Sequence, residues 1–143
     1  MKTLCTAAAL ALALPMAALA QDKAPVVTVL TAENPQTQLM ALVLTTAAQA
    51  QGHAVRLLLC GPGGDIALAA APETATAGQP PRGASPQGLL RMAMDKGARV
   101  EVCAIYLPGK GADPSALLPG VTVAQPPEMA GAMAAPGTVV WSF

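Results

Sequence analysis

Two cysteines define the chemistry this chain could carry. Cys103 lies in the run Arg99-Val100-Glu101-Val102-Cys103-Ala104-Ile105-Tyr106, a short strand-like stretch that follows a helix ending at Gly97 and precedes a loop opened by Pro108-Gly109. Cys60 closes a second strand-like run, Val55 to Leu59, and opens the loop Cys60-Gly61-Pro62-Gly63-Gly64-Asp65. In open α/β sheets the edge where strands turn into loops is where ligands and chemistry collect. The thiolate is the reactive form of cysteine, and cations or helix N-termini lower a thiol's pKa. Arg99 and Lys110 are near Cys103 in sequence, and its loop leads toward a short helix at Asp113, so Cys103 is the first candidate nucleophile and Cys60 the second. The expected chemistry is attack of a thiolate on a disulfide or a sulfane sulfur.

The same two residues have plainer readings. Parallel strands run roughly 5 Å apart, close to the Cα separation a disulfide needs. If the two strands are neighbours, a Cys60–Cys103 bridge would stabilise the fold by about 4 kcal/mol on the chain-entropy estimate. Cys60 could otherwise be a small apolar filler. Replacing Cys103 by Ser would then cost stability and leave function intact.

The third cysteine, Cys5, falls in a segment of another kind. Met1-Lys2 precedes an Ala/Leu run that ends Ala18-Leu19-Ala20 before Gln21-Asp22, the pattern of a secretory signal peptide with a small-residue cleavage site. The run is short for a membrane span, which takes about 20 apolar residues, and Pro15 interrupts it. Residues 1–20 are therefore read as a signal peptide and residues 21–143 as one domain, exported to the periplasm in a bacterium, with no membrane attachment after cleavage. In that compartment spare thiol pairs tend to become disulfides.

Other constellations carry less. The chain holds eight basic and eight acidic residues and one each of Trp, Tyr and Phe, so it has neither the basic stripe nor the stacking surface of a nucleic-acid binder. The Gly-rich loop after Cys60 lacks P-loop and dinucleotide spacing, and no cofactor is expected; its glycines read as a turn that lets backbone pass close to the thiol. There is no Cys-x-x-Cys. His53 has no carboxylate partner in sequence and reads as a surface or capping residue. Met92, Met94, Met129 and Met133 are soft donors that, with Cys60 and Cys103, could bind Cu(I), although core packing accounts for them more simply. Glu33, Asp65, Asp95, Glu101, Asp113 and Glu128 show no paired spacing for hydrolysis.

The elements that position the cysteines alternate. Val26–Leu30 is continuously apolar, as a strand buried on both faces is. Asn34-Pro35 starts a helix whose apolar positions are Leu39, Leu42, Val43, Thr46, Ala47 and Ala50, ended by Gly52. After the Val55–Leu59 strand, Asp65 caps a short helix through Ala70, and 71–84 is a mobile surface loop. Ser85-Pro86 starts the helix that ends at Gly97. Asp113-Pro114 opens a turn, Val121–Val123 is a strand, Pro126-Pro127-Glu128 starts a last helix through Ala134, and Thr138–Ser142 is the final strand. Five strands alternating with helices predict an α/β domain with a mostly parallel sheet.

The layout resembles the DsrE/DsrF family of small sulfur-relay proteins. The resemblance rests on the Val26–Leu30 strand, the helix after Asn34-Pro35, the strand–loop Leu57-Leu58-Leu59-Cys60-Gly61-Pro62-Gly63-Gly64-Asp65, and the unit Met92 to Cys103. It implies a three-layer α/β/α sandwich whose five parallel strands run in the order 43215, with the second and third side by side. It implies a homo-oligomer, trimer or hexamer. It further implies that Cys103 carries persulfide sulfur and exchanges it with a sulfur donor or acceptor protein or a small sulfane-sulfur compound, with Cys60 as resolving partner or staple. Two departures stand out: a cysteine at the Cys60 position is not general in the family, and the best-known relay members work in the cytoplasm.

Overall fold

The computed structural model describes residues 23–143. The signal-peptide reading of residues 1–20 lies outside them. Strand β1 (Val26–Leu30) is buried along nearly its whole length, as expected for a central strand of a parallel sheet. Helix α1 (Pro35–Ala50) follows, and Asn34 caps it: its side-chain oxygen accepts from the backbone N–H groups of Gln36 and Thr37 at 2.9 and 3.1 Å. Strand β2 (Val55–Leu59) leads into a 3-10 helix, Gly61–Ala67, and a single helical turn, α2 (Glu73–Thr76). Helix α3 (Pro86–Asp95) is capped by Ser85, whose hydroxyl accepts from the Gly88 N–H. Strand β3 (Arg99–Val102), helix α4 (Tyr106–Lys110), a 3-10 turn at Pro114–Ala116, strand β4 (Thr122–Val123), helix α5 (Pro126–Ala134) and strand β5 (Val139–Ser142) complete the chain.

The five strands form one sheet, all pairs parallel, in the order β4-β3-β2-β1-β5. This is the predicted order, and β2 and β3 are neighbours. Side chains alternate across a strand, and the two faces bury different things. On one face Leu30, Leu57, Leu59, Val100 and Val102 pack with Ala41 and Leu42 of α1 and Leu90 and Ala93 of α3. On the other, Val27, Ala124 and Met129 form a smaller cluster, with Val29, Leu58 and Met133 against it. Helix α5 covers that face, giving three layers.

Four expectations need correction. Helix α1 buries Gln38, Ala41, Leu42, Thr45 and Ala48, while Val43 is 47% exposed. The helix is turned from the predicted face because its polar groups find partners inside. Gln38 Nε2 donates to the Ala32 carbonyl at 2.9 Å, and the Thr45 and Thr28 hydroxyls pair at 2.9 Å across α1 and β1. Buried polar groups are tolerated when so paired. The helix predicted from Asp65 to Ala70 instead begins at Gly61, directly after Cys60. Pro108-Gly109 does not open a loop but lies inside α4, and the 71–84 segment contains α2 and a Gln79–Ala84 bridge. No helix among the described residues is long and apolar enough to cross a membrane.

Candidate functional site

Strand register brings the cysteines together. Leu59 and Val102 are Cα partners at the end of the β2–β3 ladder, so the next residue on each strand is a cysteine. The ladder continues to them: the Cys103 N–H donates to the Leu59 carbonyl and the Cys60 N–H to the Leu30 carbonyl, each at 2.9 Å. Cys60 and Cys103 are joined as a disulfide with Cα atoms 5.1 Å apart, within the range disulfides occupy. Both residues are half-buried.

A cleft of 410 Å³ opens beside them, built from the loops that follow three successive strands. Glu33 comes from the loop after β1; Gly61, Pro62 and Asp65 from the 3-10 segment after β2; Ile105, Tyr106, Gly109 and Lys110 from the segment after β3. Gly61 and Ile105 are one and two positions from the two cysteines. Ile105 is 82% exposed on the rim.

The two cysteine-bearing segments also meet beyond the disulfide. The Tyr106 hydroxyl donates to Asp65 Oδ1 at 2.6 Å, and Lys110 Nζ lies 2.7 Å from the same oxygen. Lys110 also sits 5.8 Å from the centre of the Tyr106 ring, within cation–π range. Burial of the phenol, reinforced by its hydrogen bond to the Asp65 carboxylate and by that group's charge, pushes the Tyr106 pKa well above its ordinary value.

The glycines after Cys60 make this approach possible. A Cβ at Gly64 would sit 2.5–2.7 Å from carbons of the Tyr106 ring, and one at Gly63 would fall on the Leu30 carbonyl. The glycines, read from the sequence as a turn that lets backbone pass close to the thiol, admit the backbone at the end of β1 and an aromatic ring.

The second cation near Cys103 in sequence is elsewhere in space. Arg99 begins β3, at the end opposite Cys103, and joins a charge network on the α5 side of the sheet. The Glu101 side chain is fully buried. Arg56 Nε pairs with its Oε2 and Arg56 Nη2 with its Oε1 at 2.9 Å, while Arg99 Nη2 reaches Oε1 at 3.1 Å. Glu128 on α5 lies 2.7 Å from Arg99 and 3.3 Å from Arg56. The hydrogen bond that Arg56 donates to Glu101 raises the Arg56 pKa, and the one that Arg99 donates to Glu128 holds the Glu128 carboxyl below its usual range.

Tyr106 and Asp65 were not singled out as site residues from the sequence. The signal was there in the form of position: one is three residues past Cys103, the other five past Cys60. His53 Nδ1–H donates to the Ala24 carbonyl, 2.7 Å away, which fits a capping residue. Met129 and Met133 pack in the cluster under α5 and Met92 is exposed on α3; none of them lines the cleft beside the cysteines. Among the described residues no group of three or more His, Cys, Asp or Glu side chains is placed to hold a metal ion. A larger groove, 610 Å³, runs between α1 and the Gln79–Ala84 segment; Leu39, Met40, Val43, Pro80 and Pro81 line it, and Arg82 is its one charged residue.

Comparison with known proteins places this architecture. The sequence model of the DsrE/DsrF-like family matches residues 23–141. The YchN protein from E. coli has a similar fold, with a TM-score of 0.65 at 20% identity over 85% of this chain and 99% of that one. MTH1491 from Methanobacterium thermoautotrophicum, described as a protein of unknown function, has a TM-score of 0.60 at 16% identity over 85% of this chain and 100% of its own. No curated protein matches the sequence.

Proposed function

The chain belongs to the DsrE/DsrF-like family, and from that premise we propose that it is an exported sulfur carrier in which Cys103 bears persulfide sulfur and Cys60 resolves it. The observation that carries the reading is the disulfide on the first rung past the β2–β3 ladder, beside an open cleft. A thiol that must receive and release sulfur needs access, and a resolving thiol must be within bonding distance of it.

The chemistry has two steps. In the dithiol form, Cys103 thiolate attacks the outer sulfur of a persulfide donor; the donor's S–S bond breaks, its thiolate leaves, and Cys103 holds the persulfide. An acceptor thiolate can then attack that outer sulfur and return Cys103 to a thiolate, which completes a transfer. Alternatively Cys60 thiolate attacks the inner sulfur; the Cys60–Cys103 bond forms and hydrosulfide leaves, so that the dithiol is oxidised and the sulfane sulfur reduced. The partner is a donor or acceptor protein or a small sulfane-sulfur compound. Export, read from residues 1–20, puts the pair where the disulfide is the resting form.

Mass spectrometry of the pre-reduced protein after polysulfide treatment tests this. Added sulfur retained on Cys103 in Cys60→Ser, and absent in Cys103→Ser, is expected. No adduct on reduced Cys60→Ser together with no hydrosulfide from the reduced wild type would sink the proposal and leave the disulfide as a staple.

Self-association belongs to the same proposal. Helix α1 contains no charged residue, and Met40, Val43 and Leu44 on its outer side are 54%, 47% and 40% exposed. A second copy can lie on that face without bringing like charges together, and exposed apolar patches of this kind mark interfaces. Light scattering should give a multiple of the monomer mass that Val43→Lys lowers; a monomeric wild type excludes this interface.

A further inference from the structure

The cysteine pair is held from the loop side as well as from the strand side, and we propose that Tyr106 and Asp65 are positioning residues that set the redox equilibrium of Cys60 and Cys103. This deepens the carrier reading above and rests on it. On the strand side, the β2–β3 ladder runs up to the Cys103 N–H. On the loop side the disulfide is not the only tie. Asp65 Oδ1 accepts the Tyr106 hydroxyl at 2.6 Å and lies 2.7 Å from Lys110 Nζ. One oxygen on the segment behind Cys60 thus gathers two groups from the segment behind Cys103. Tyr106 is only 5% exposed, and its ring occupies the place where Gly64 lacks a side chain. Apolar packing and a hydrogen bond to a charged acceptor therefore lock together the same two segments that the disulfide joins.

When the disulfide opens, that lock weakens but does not come apart. It keeps the chain beyond both thiols from separating, so the thiols stay at high effective concentration and re-form the bond readily. By linkage, whatever the lock contributes to forming the disulfide, the disulfide returns to the lock. The pair can then cycle between dithiol and disulfide without rebuilding the site each time.

The test is the exchange of the protein disulfide with two molecules of glutathione, which yields the dithiol and one molecule of glutathione disulfide. Thiols are counted across a range of glutathione ratios for the wild type, Tyr106→Phe and Asp65→Asn. Phe keeps the ring against Gly64 and removes only the hydroxyl, so that variant should fold. A hydrogen bond to a charged group is worth enough to shift the equilibrium constant toward dithiol roughly tenfold in either variant, which for this two-electron couple is about 30 mV. A second readout uses Tyr106 as the sole tyrosine: its phenolate absorbance should appear at lower pH in the reduced wild type than in the oxidised one. Folded variants that share the wild-type constant overturn the clamp and leave the carrier reading standing. A wild-type disulfide that never exchanges with glutathione overturns both.

Discussion

Cys60 and Cys103 occupy the rung that follows the Leu59–Val102 pair of the β2–β3 ladder, and their Cα atoms lie 5.1 Å apart. Their closeness is therefore set by the sheet and not imposed by the disulfide. A thiol pair placed this way can open and close without moving its supporting strands. The cleft beside it is formed by the loops after β1, β2 and β3, and under the carrier proposal it is where a sulfur donor or acceptor would approach.

Glu101 should be the most sensitive polar residue in the fold. Its buried carboxylate answers two guanidiniums, and the Arg56 side chain is itself only 13% exposed. Removing one partner of a buried ion pair leaves the other charge uncompensated and costs about 3–5 kcal/mol. Glu101→Ala is expected to lose that much in urea unfolding followed through Trp141, the sole tryptophan. Glu101→Gln, which keeps an acceptor, should lose less. None of Arg56, Arg99, Glu101 and Glu128 lines the cleft beside the cysteines, so sulfur loading of the folded variants should be unchanged.

Alkaline pH should loosen the site before it unfolds the sheet. The folded protein favours the neutral phenol of Tyr106, whose pKa is raised above the ordinary value of 10.0. The stability this provides is fully present below that value and is lost as the pH rises through the higher, folded pKa. Phenolate absorbance in the native protein should therefore appear well above pH 10, and Asp65→Asn should bring it down toward the ordinary range. A native Tyr106 that titrates near pH 10 would mean that the Asp65 bond does not form.

Gly63 should not accept a side chain. The obstacle to a Cβ is the Leu30 carbonyl at the end of β1, which is backbone and cannot rotate away. Overpacking of this kind typically costs about 1–3 kcal/mol. Gly63→Ala is expected to lower the midpoint of thermal unfolding by an amount in keeping with that cost. Gly137→Ala would be a poor control, because its φ of 78° is strained for any side chain; Gly109→Ala, with open space around it, is the better one.

Much of this was legible in the sequence. Asn34-Pro35 and Ser85-Pro86 marked two helix starts because cap and proline act locally, and short runs rich in Val and Leu marked the strands that bring Cys60 and Cys103 to one edge. The strand order followed from the family resemblance, since pattern alone does not order strands. Three things were hidden. Helix α1 has no charged residue to mark its wet side, so its inward turn, with Gln38 and Thr45 buried and Val43 exposed, depended on partners supplied by Ala32 and Thr28. The helix at Tyr106–Lys110 contains Pro108 and Gly109, which read locally as a turn; Pro108 is in its first turns, where its missing N–H costs little. Glu101, Glu128, Arg56 and Arg99 are brought together by parallel pairing and by α5, a relationship between distant residues that spacing along one chain cannot show.

The most direct test compares reduced wild type with Cys60→Ser after one equivalent of a persulfide donor, by intact-protein mass and sulfide release. The carrier account predicts that Cys60→Ser retains one added sulfur on Cys103, while the wild type sheds it as hydrosulfide and returns to the disulfide. If neither protein takes up sulfur and the wild type releases no hydrosulfide, the account is wrong and the Cys60–Cys103 bond is a structural link.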